Sequence, residues 1–229
     1  MSFIFPNRCI CCQKSISCDG IYCVNCWHKL EFIGQNICHK CAHPFEIDLE
    51  DCQNVICLKC HHKKFFFDKT IVIYRYNATI AQAIANFKYR DQTFLAKKFA
   101  EILINDIANE IKSADIICAV PLHAKKLYAR KFNQSLLIAK FLAAEKLCCD
   151  LLIRAKNQKP QVRLTFKQRL KNVRSSFVVN AKYHEIIKGK KIILIDDVIT
   201  TGATVNACAK KLKRCQVAEV VVIAIAKAI

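Results

Sequence analysis

The sequence predicts an α/β fold, a mostly parallel sheet flanked by helices, preceded by a small cysteine-rich module. Three observations predict it. The runs DIICAV (115–120) and IILI (192–195) have the continuous apolar composition of strands buried on both faces. From residue 70 onwards such runs alternate with segments of helical apolar spacing, the order expected of parallel strands joined by helices. Eleven of the sixteen cysteines lie between Cys9 and Cys60, while Cys118, Cys148, Cys149, Cys208 and Cys215 are scattered through apolar stretches as small core residues.

The cysteine-rich segment contains four Cys-x-x-Cys pairs in order: Cys9/Cys12, Cys23/Cys26, Cys38/Cys41 and Cys57/Cys60. Each pair can form a knuckle that presents two thiolates to one metal, and two knuckles make a tetrahedral site suited to Zn²⁺. A lone pair would suit a redox dithiol. Four pairs with too little apolar sequence for a core of their own point to structural zinc, one ion or two. Sequential pairing, first with second and third with fourth, gives two zinc ribbons in tandem; spacing alone also permits interleaving. Cys11, Cys18 and Cys52 are left over, and His39, His43, His61 and His62 stand near as substitute ligands. The expected domains are a double zinc ribbon over residues 1–66 and an α/β domain over residues 67–229.

Beyond the cysteines, residues 70–76 (TIVIYRY) form the first expected strand, and residues 79–90 and 93–111 carry helical spacing. The strand at 115–120 ends in Pro121-Leu122-His123, followed by a basic loop with Lys125, Lys126, Arg130 and Lys131. A helix is expected over roughly 134–147, and further strands at 177–179 and 220–226.

Ile192 to Thr204 (IILIDDVITTGAT) is the run richest in chemistry. Asp196 and Asp197 follow the four aliphatics at the strand's carboxyl end, where open α/β sheets bind ligands. Thr200, Thr201, Gly202, Ala203 and Thr204 then open a helix marked by Val205, Cys208, Ala209 and Leu212. Such a loop offers backbone N–H groups and a positive helix end to a phosphate. An ordinary turn and helix cap would account for the threonines alone. The whole constellation fits a phosphate on the loop and a polyol or metal on the aspartates.

This run resembles the phosphoribosyl-pyrophosphate (PRPP) signature of type I phosphoribosyltransferases. That resemblance implies ribose hydroxyls on Asp196 and Asp197 and the 5′-phosphate on residues Thr200 to Thr204. VPLH…FNQ (120–134), the pattern Gln161, Leu164, Arg169, Asn172 and Phe177, the acid-pair signature and the cysteine module together resemble the ComF family over essentially the whole chain. ComF resemblance further implies a pyrophosphate loop at residues 121–125 (Leu122, His123, Ala124, Lys125), a basic–aromatic pair at Lys88 and Tyr89, and a flexible closing loop from Arg130 through Asn133 to Gln134. Lys131 stands where the family usually has glycine.

The resulting expectation is a protein that binds PRPP with Mg²⁺. If active, it is a phosphoribosyltransferase, a glycosyltransferase whose acceptor and catalytic residue the sequence does not identify. A second expectation is a non-catalytic accessory of DNA uptake in natural transformation, in which the zinc ribbons and the basic block at 154–174 bind single-stranded DNA or the DNA-import machinery, with PRPP as a sensed ligand. Charge bears on this. The chain carries a net +19, and residues 1–64 hold seven Lys/Arg against six Asp/Glu, so the excess is downstream. From Arg154 to Arg174 there are eight basic residues and no acidic one, a block suited to a polyanion or to a solvated face. No apolar stretch is long enough to span a membrane, and MSFIFPNRCICC lacks the features of a signal peptide. A cytoplasmic protein is expected, where disulfides would be rare.

Overall fold

The computed structural model describes residues 7–16, 20–47, 54–89, 92–155 and 177–229. Its main sheet is entirely parallel. β1 (Lys69–Arg75), β2 (Ile116–Ala119), β5 (Lys191–Ile199) and β6 (Glu219–Lys227) lie in the order β1-β6-β5-β2. β3 (Leu152–Arg154) and β4 (Phe177–Val179) form a separate antiparallel pair. The central strands β5 and β6 are buried on both faces, as continuous aliphatic runs require. On one face, Ile193, Ile195, Val221 and Ile223 meet Phe87 of α3 (Ala78–Tyr89), Phe99 and Ile107 of α4 (Leu95–Ser113) and Ile138 of α6 (Gln134–Leu142). On the other, Ile192, Leu194, Val220 and Val222 meet Cys208 and Leu212 of α7 (Ala203–Arg214) and Phe177 of β4.

The cysteine segment straddles the sheet's edge. Ile33 N donates to Ile73 O at 2.8 Å and Arg75 N to Glu31 O at 2.8 Å, so the strip between the second and third knuckles covers the outer edge of β1. Covering it removes a row of backbone groups that would otherwise template association. Cys9, Ile10 and Cys11 pack into the core on the α3–α4 face, whereas Cys38, Cys41, Ala42 and Cys60 pack into the core on the α7 face. The two short helices of this segment are α1 (Val24–Trp27) and α2 (Leu58–His62).

Several local expectations are corrected. The basic loop is largely α5 (Ala124–Arg130), built from good helix formers. It buries no residue, so it carries no apolar periodicity to read. The next helix stops at Leu142 because Ala143 turns extended (φ −164°), and Leu147 then bridges to Ile117 beside β2. β5 continues past the aliphatics through Asp196 and Asp197 to Ile199. Residues 177–179 are a strand but lie outside the parallel sheet. Cys18, Cys52 and the basic block except Arg154 fall outside the described residues, as do Gln161, Leu164, Arg169 and Asn172.

At the sheet's amino end, Glu110 of α4 accepts from Lys69 and Lys191, each at 2.7 Å. Burial alone would raise the Glu110 carboxyl, but the two ammonium groups outweigh it and hold the group below its ordinary value. A depressed carboxylate contributes stability above its unfolded pKa and loses it as pH falls through the folded one. Glu110→Gln is therefore expected to cost about 1–3 kcal/mol at pH 7. Thermal melts should show the gap from wild type closing below pH 4.5, the ordinary value for this group.

Candidate functional site

The cysteine knuckles close into two sites, Cys9–Cys12–Cys23–Cys26 and Cys38–Cys41–Cys57–Cys60, with the ligand atoms of each within 4.8 Å of one another. Pairing is sequential; the interleaved alternative is excluded by this geometry. The Sγ separations Cys12–Cys23, Cys38–Cys60 and Cys41–Cys57 are all 3.7 Å. Four Zn–S bonds of about 2.3 Å in a tetrahedron span edges of about 3.8 Å, so the thiolates fit zinc. The local design repeats. The residue after each first knuckle is left-handed (Gln13 φ 65°, Ala42 φ 53°), and its amide returns to the carbonyl of Cys9 or Cys38. Each second knuckle opens a helical turn, α1 after Cys23 and α2 after Cys57. Neither group includes a histidine among the described residues. Cys11 is fully buried, burial pushes its thiol up to about 12, and its carbonyl accepts from Asn86 Nδ2 at 2.9 Å. It is a core residue.

The acid pair sits where the sheet narrows. β2 ends at Ala119 opposite Ile195, and Val120 N closes the pairing by donating to Ile195 O at 2.9 Å. Beyond Ile195 no partner in β2 continues the pairing and β5 runs on beside β6 alone among the described residues, an arrangement of the kind in which open α/β sheets hold ligands in a crevice. Asp197 Oδ2 meets Lys88 Nζ at 2.7 Å, both side chains being largely buried. Asp196 Oδ1 accepts the Asp197 amide at 2.9 Å. Burial, and next the charge of Asp197, push the Asp196 carboxyl up to about 7; Lys88 and the Ser135 hydroxyl pull the other way.

The loop beyond is a helix start. Gly202 takes φ 73°, the left-handed conformation that favours glycine, and caps α7. Thr201 Oγ1 accepts from Ala203 N at 3.3 Å, and Gly202 O accepts from Asn206 N at 2.9 Å. Thr200 and Thr201 are exposed, and Gly202, Ala203 and Thr204 half-buried. Following β2, Leu122 and His123 are half-buried and Ala124 and Lys125 exposed. His123 Nδ1 accepts from Lys125 N at 3.2 Å and so caps α5.

Arg130 joins the remaining residues. Its guanidinium donates to Gln134 Oε1 at 3.1 Å and Tyr89 Oη at 3.0 Å, and lies 5.0 Å from the Tyr89 ring centroid. Asn133 is occupied structurally: Oδ1 accepts from Ser135 N at 3.1 Å and Nδ2 donates to Val120 O at 3.0 Å. Lys131 adopts φ 65°, so a lysine holds a left-handed position that glycine would take without the steric cost of about 1–2 kcal/mol. Three residues near the acid pair or the loop that follows it were missed from sequence. Ser135, whose hydroxyl reaches Asp196, directly follows the FNQ run; Asn206, in the first turn of α7, and Lys227, opposite Ile199, carry no local signal.

Family models for a double zinc ribbon domain match residues 1–61, and for a phosphoribosyl transferase domain residues 135–228. Competence protein F of Haemophilus influenzae is 27% identical over all of both chains. This chain is a homologue of the ComF competence proteins. Competence protein ComFC of Bacillus subtilis is 25% identical over 85% of this chain and 78% of that one. DNA utilization protein YhgH of Escherichia coli K12 is 22% identical over 91% and 92%. The ComF homologue thus joins a type I phosphoribosyltransferase-like fold to an N-terminal zinc ribbon with two Cys₄ sites. Among the described residues no helix is long and apolar enough to cross a membrane.

Proposed function

We propose that this homologue binds PRPP in the crevice beyond β2 and acts in the handling of incoming DNA. The observation that carries the ligand is the convergence of Asp196, Asp197 and Lys88 with the left-handed Gly202 turn into α7. Asp196 and Asp197 hold the ribose hydroxyls, and residues Thr200 to Thr204 take the 5′-phosphate. The pair displaces Lys88 as it takes the ribose, freeing that ammonium, with Lys125 and Arg130, for the pyrophosphate. The acid pair would hold Mg²⁺, which would supply further charge neutralisation there. Transfer chemistry at the ribose C1 asks for positioning, cations on the leaving group and exclusion of water, which these residues serve without a protein nucleophile.

The DNA role is supported by relatives named for competence and for DNA utilization. A second reading, PRPP as a sensed ligand of a single-strand-handling protein, is favoured by the net +19 and by two exposed rings. Trp27 and Phe32 lie 5.2 Å apart on the segment carrying His28 and Lys29, a surface on which bases could stack.

Calorimetric titration of PRPP with Mg²⁺ into the zinc-loaded chain tests the ligand, with a Kd between about 1 µM and 1 mM expected by analogy with enzyme substrates. Absence of binding overturns the reading. Pyrophosphate release with a nucleobase acceptor marks a transferase; saturable binding without release marks the sensor. Single-strand affinity that falls steeply with salt supports the DNA role, and a flat salt profile removes it.

A further inference from the structure

The two metal sites are tied to opposite sides of the proposed ligand crevice by different side chains. Asn86, buried in α3, donates through Nδ2 to Ile10 O at 3.2 Å and Cys11 O at 2.9 Å, both inside the first knuckle of site one. Gln92 Nε2 adds a bond to Gln13 Oε1 at 3.2 Å, just past Cys12. Asn86 stands about half a turn before Lys88 and nearly a full turn before Tyr89, so a knuckle held rigid by zinc would set the register of the helix end that meets Asp197.

Site two is tied to the other half. Asn206, in the first turn of α7, accepts from Phe66 N at 2.7 Å and donates to Lys64 O at 3.5 Å, on the strip that follows Cys60. Phe65 lies against Gly202, 3.8 Å from where a Cβ would stand. Lys227 is buried at the end of β6, opposite Ile199, and its ammonium donates to Cys41 O at 2.6 Å and lies 3.8 Å from Cys41 Sγ. Ile199 leads directly into the phosphate loop, and Ala228 N holds its carbonyl at 2.9 Å. A small cavity of about 70 Å³, bordered by Cys41, Phe65, Thr200 and Lys227, separates site two from that loop.

We infer that each zinc ribbon positions a different half of the ligand site. Ribbon one, through Asn86, places Lys88 and Tyr89 for the ribose and pyrophosphate; ribbon two, through Asn206 and Lys227, places residues 200–204 for the 5′-phosphate. Asn86 and Asn206 are positioning residues that touch no ligand. The inference rests on the PRPP reading for its ligand but on side-chain-to-backbone hydrogen bonds for its coupling.

The test is hydrogen exchange on the full zinc-loaded chain, paired with titration of PRPP, ribose 5-phosphate and inorganic pyrophosphate. Asn206→Ala is expected to speed exchange in residues 198–206 and weaken ribose 5-phosphate roughly five- to tenfold, leaving pyrophosphate unchanged. Asn86→Ala should speed exchange in residues 84–89 and weaken pyrophosphate by a similar factor. Asn206→Asp, which keeps the acceptor for Phe66 N, should restore slow exchange in residues 198–206; Asn86→Asp, which loses the donor, should not restore it in residues 84–89. Metal content should stay at two zinc ions per chain throughout. Exchange that rises in both segments alike, or in neither, overturns the coupling. If the wild-type chain shows no binding, the PRPP reading fails, and the exchange pattern alone decides the coupling.

Discussion

Stripping zinc with a strong chelator is expected to collapse the sheet as well as the N-terminal module. Cys9 and Cys38 are fully buried, and the ribbon residues Ile10, Cys11, Ala42 and Cys60 belong to the cores on the two sheet faces. Without metal, each site confronts four thiols packed at van der Waals distance with no bond to hold them, while the outer edge of β1 loses its cover. Structural zinc contributes on the order of 10–16 kcal/mol in small ribbon modules, comparable to the whole stability of a typical domain. A loss of even about 5 kcal/mol would lower the melting temperature by roughly 10–20 °C in a chain of this size. The expected result is one cooperative loss of near-ultraviolet and far-ultraviolet signal, followed by association through the bared strand edge and recovery when zinc is returned early. An apo chain whose phosphoribosyltransferase-like part melts unchanged would contradict this. So would reactive dithiols in the zinc-loaded protein, which would revive the redox reading of the Cys-x-x-Cys pairs.

What the sequence made legible was contiguous. The strand, the acid pair, the hydroxyl loop and the helix at residues 192–212 lie in one run, and each of the four knuckles is a local pattern. The pairing of knuckles required the fold, because spacing allowed two arrangements and only geometry separates them. The contacts that align the site are not local at all. Asn86 reaches Cys11 across 75 positions, and Asn206 reaches Phe66 across 140. An asparagine in a helix looks like a solvated polar residue until its partner is known. Lys227 ends the apolar run VVVIAIAK and looks like a strand terminus meeting water, yet it is buried against Cys41. α5 escaped for the opposite reason: it buries nothing, so no periodicity marks it. The family resemblance singled out Lys88 but not its contact with Asp197, since no residue-level pattern connects α3 to β5.

Asp196→Asn is expected to make the ligand-free chain more stable while removing most of the affinity for PRPP and Mg²⁺ that we propose for this site. The Asp196 carboxyl is pushed up to about 7 because burial, and then the charge of Asp197, disfavour its ionised form. Lys88 engages Asp197 at 2.7 Å and offsets only part of this. With a folded pKa above the ordinary 3.8, ionising Asp196 weakens the fold: the full stability is present below the unfolded pKa and falls as pH rises through 7. At pH 8 the neutral amide should therefore gain on the order of 3 kcal/mol, seen as a melting temperature higher by roughly 6–12 °C. In the proposed site the ribose and the metal need the ionised form, so the same substitution should weaken binding by about 100-fold or more, as loss of two charge-assisted contacts would. Wild-type affinity should then climb roughly tenfold per pH unit up to pH 7 and level off above it, with a proton released on binding near pH 6. Calorimetry in buffers of differing ionisation heat measures that proton directly, and Asp196→Asn should not release it. Affinity flat between pH 5.5 and 8, or a variant that melts below wild type at pH 8, would show that Asp196 is already ionised in the free chain and that the crevice stores no such strain for the ligand to relieve.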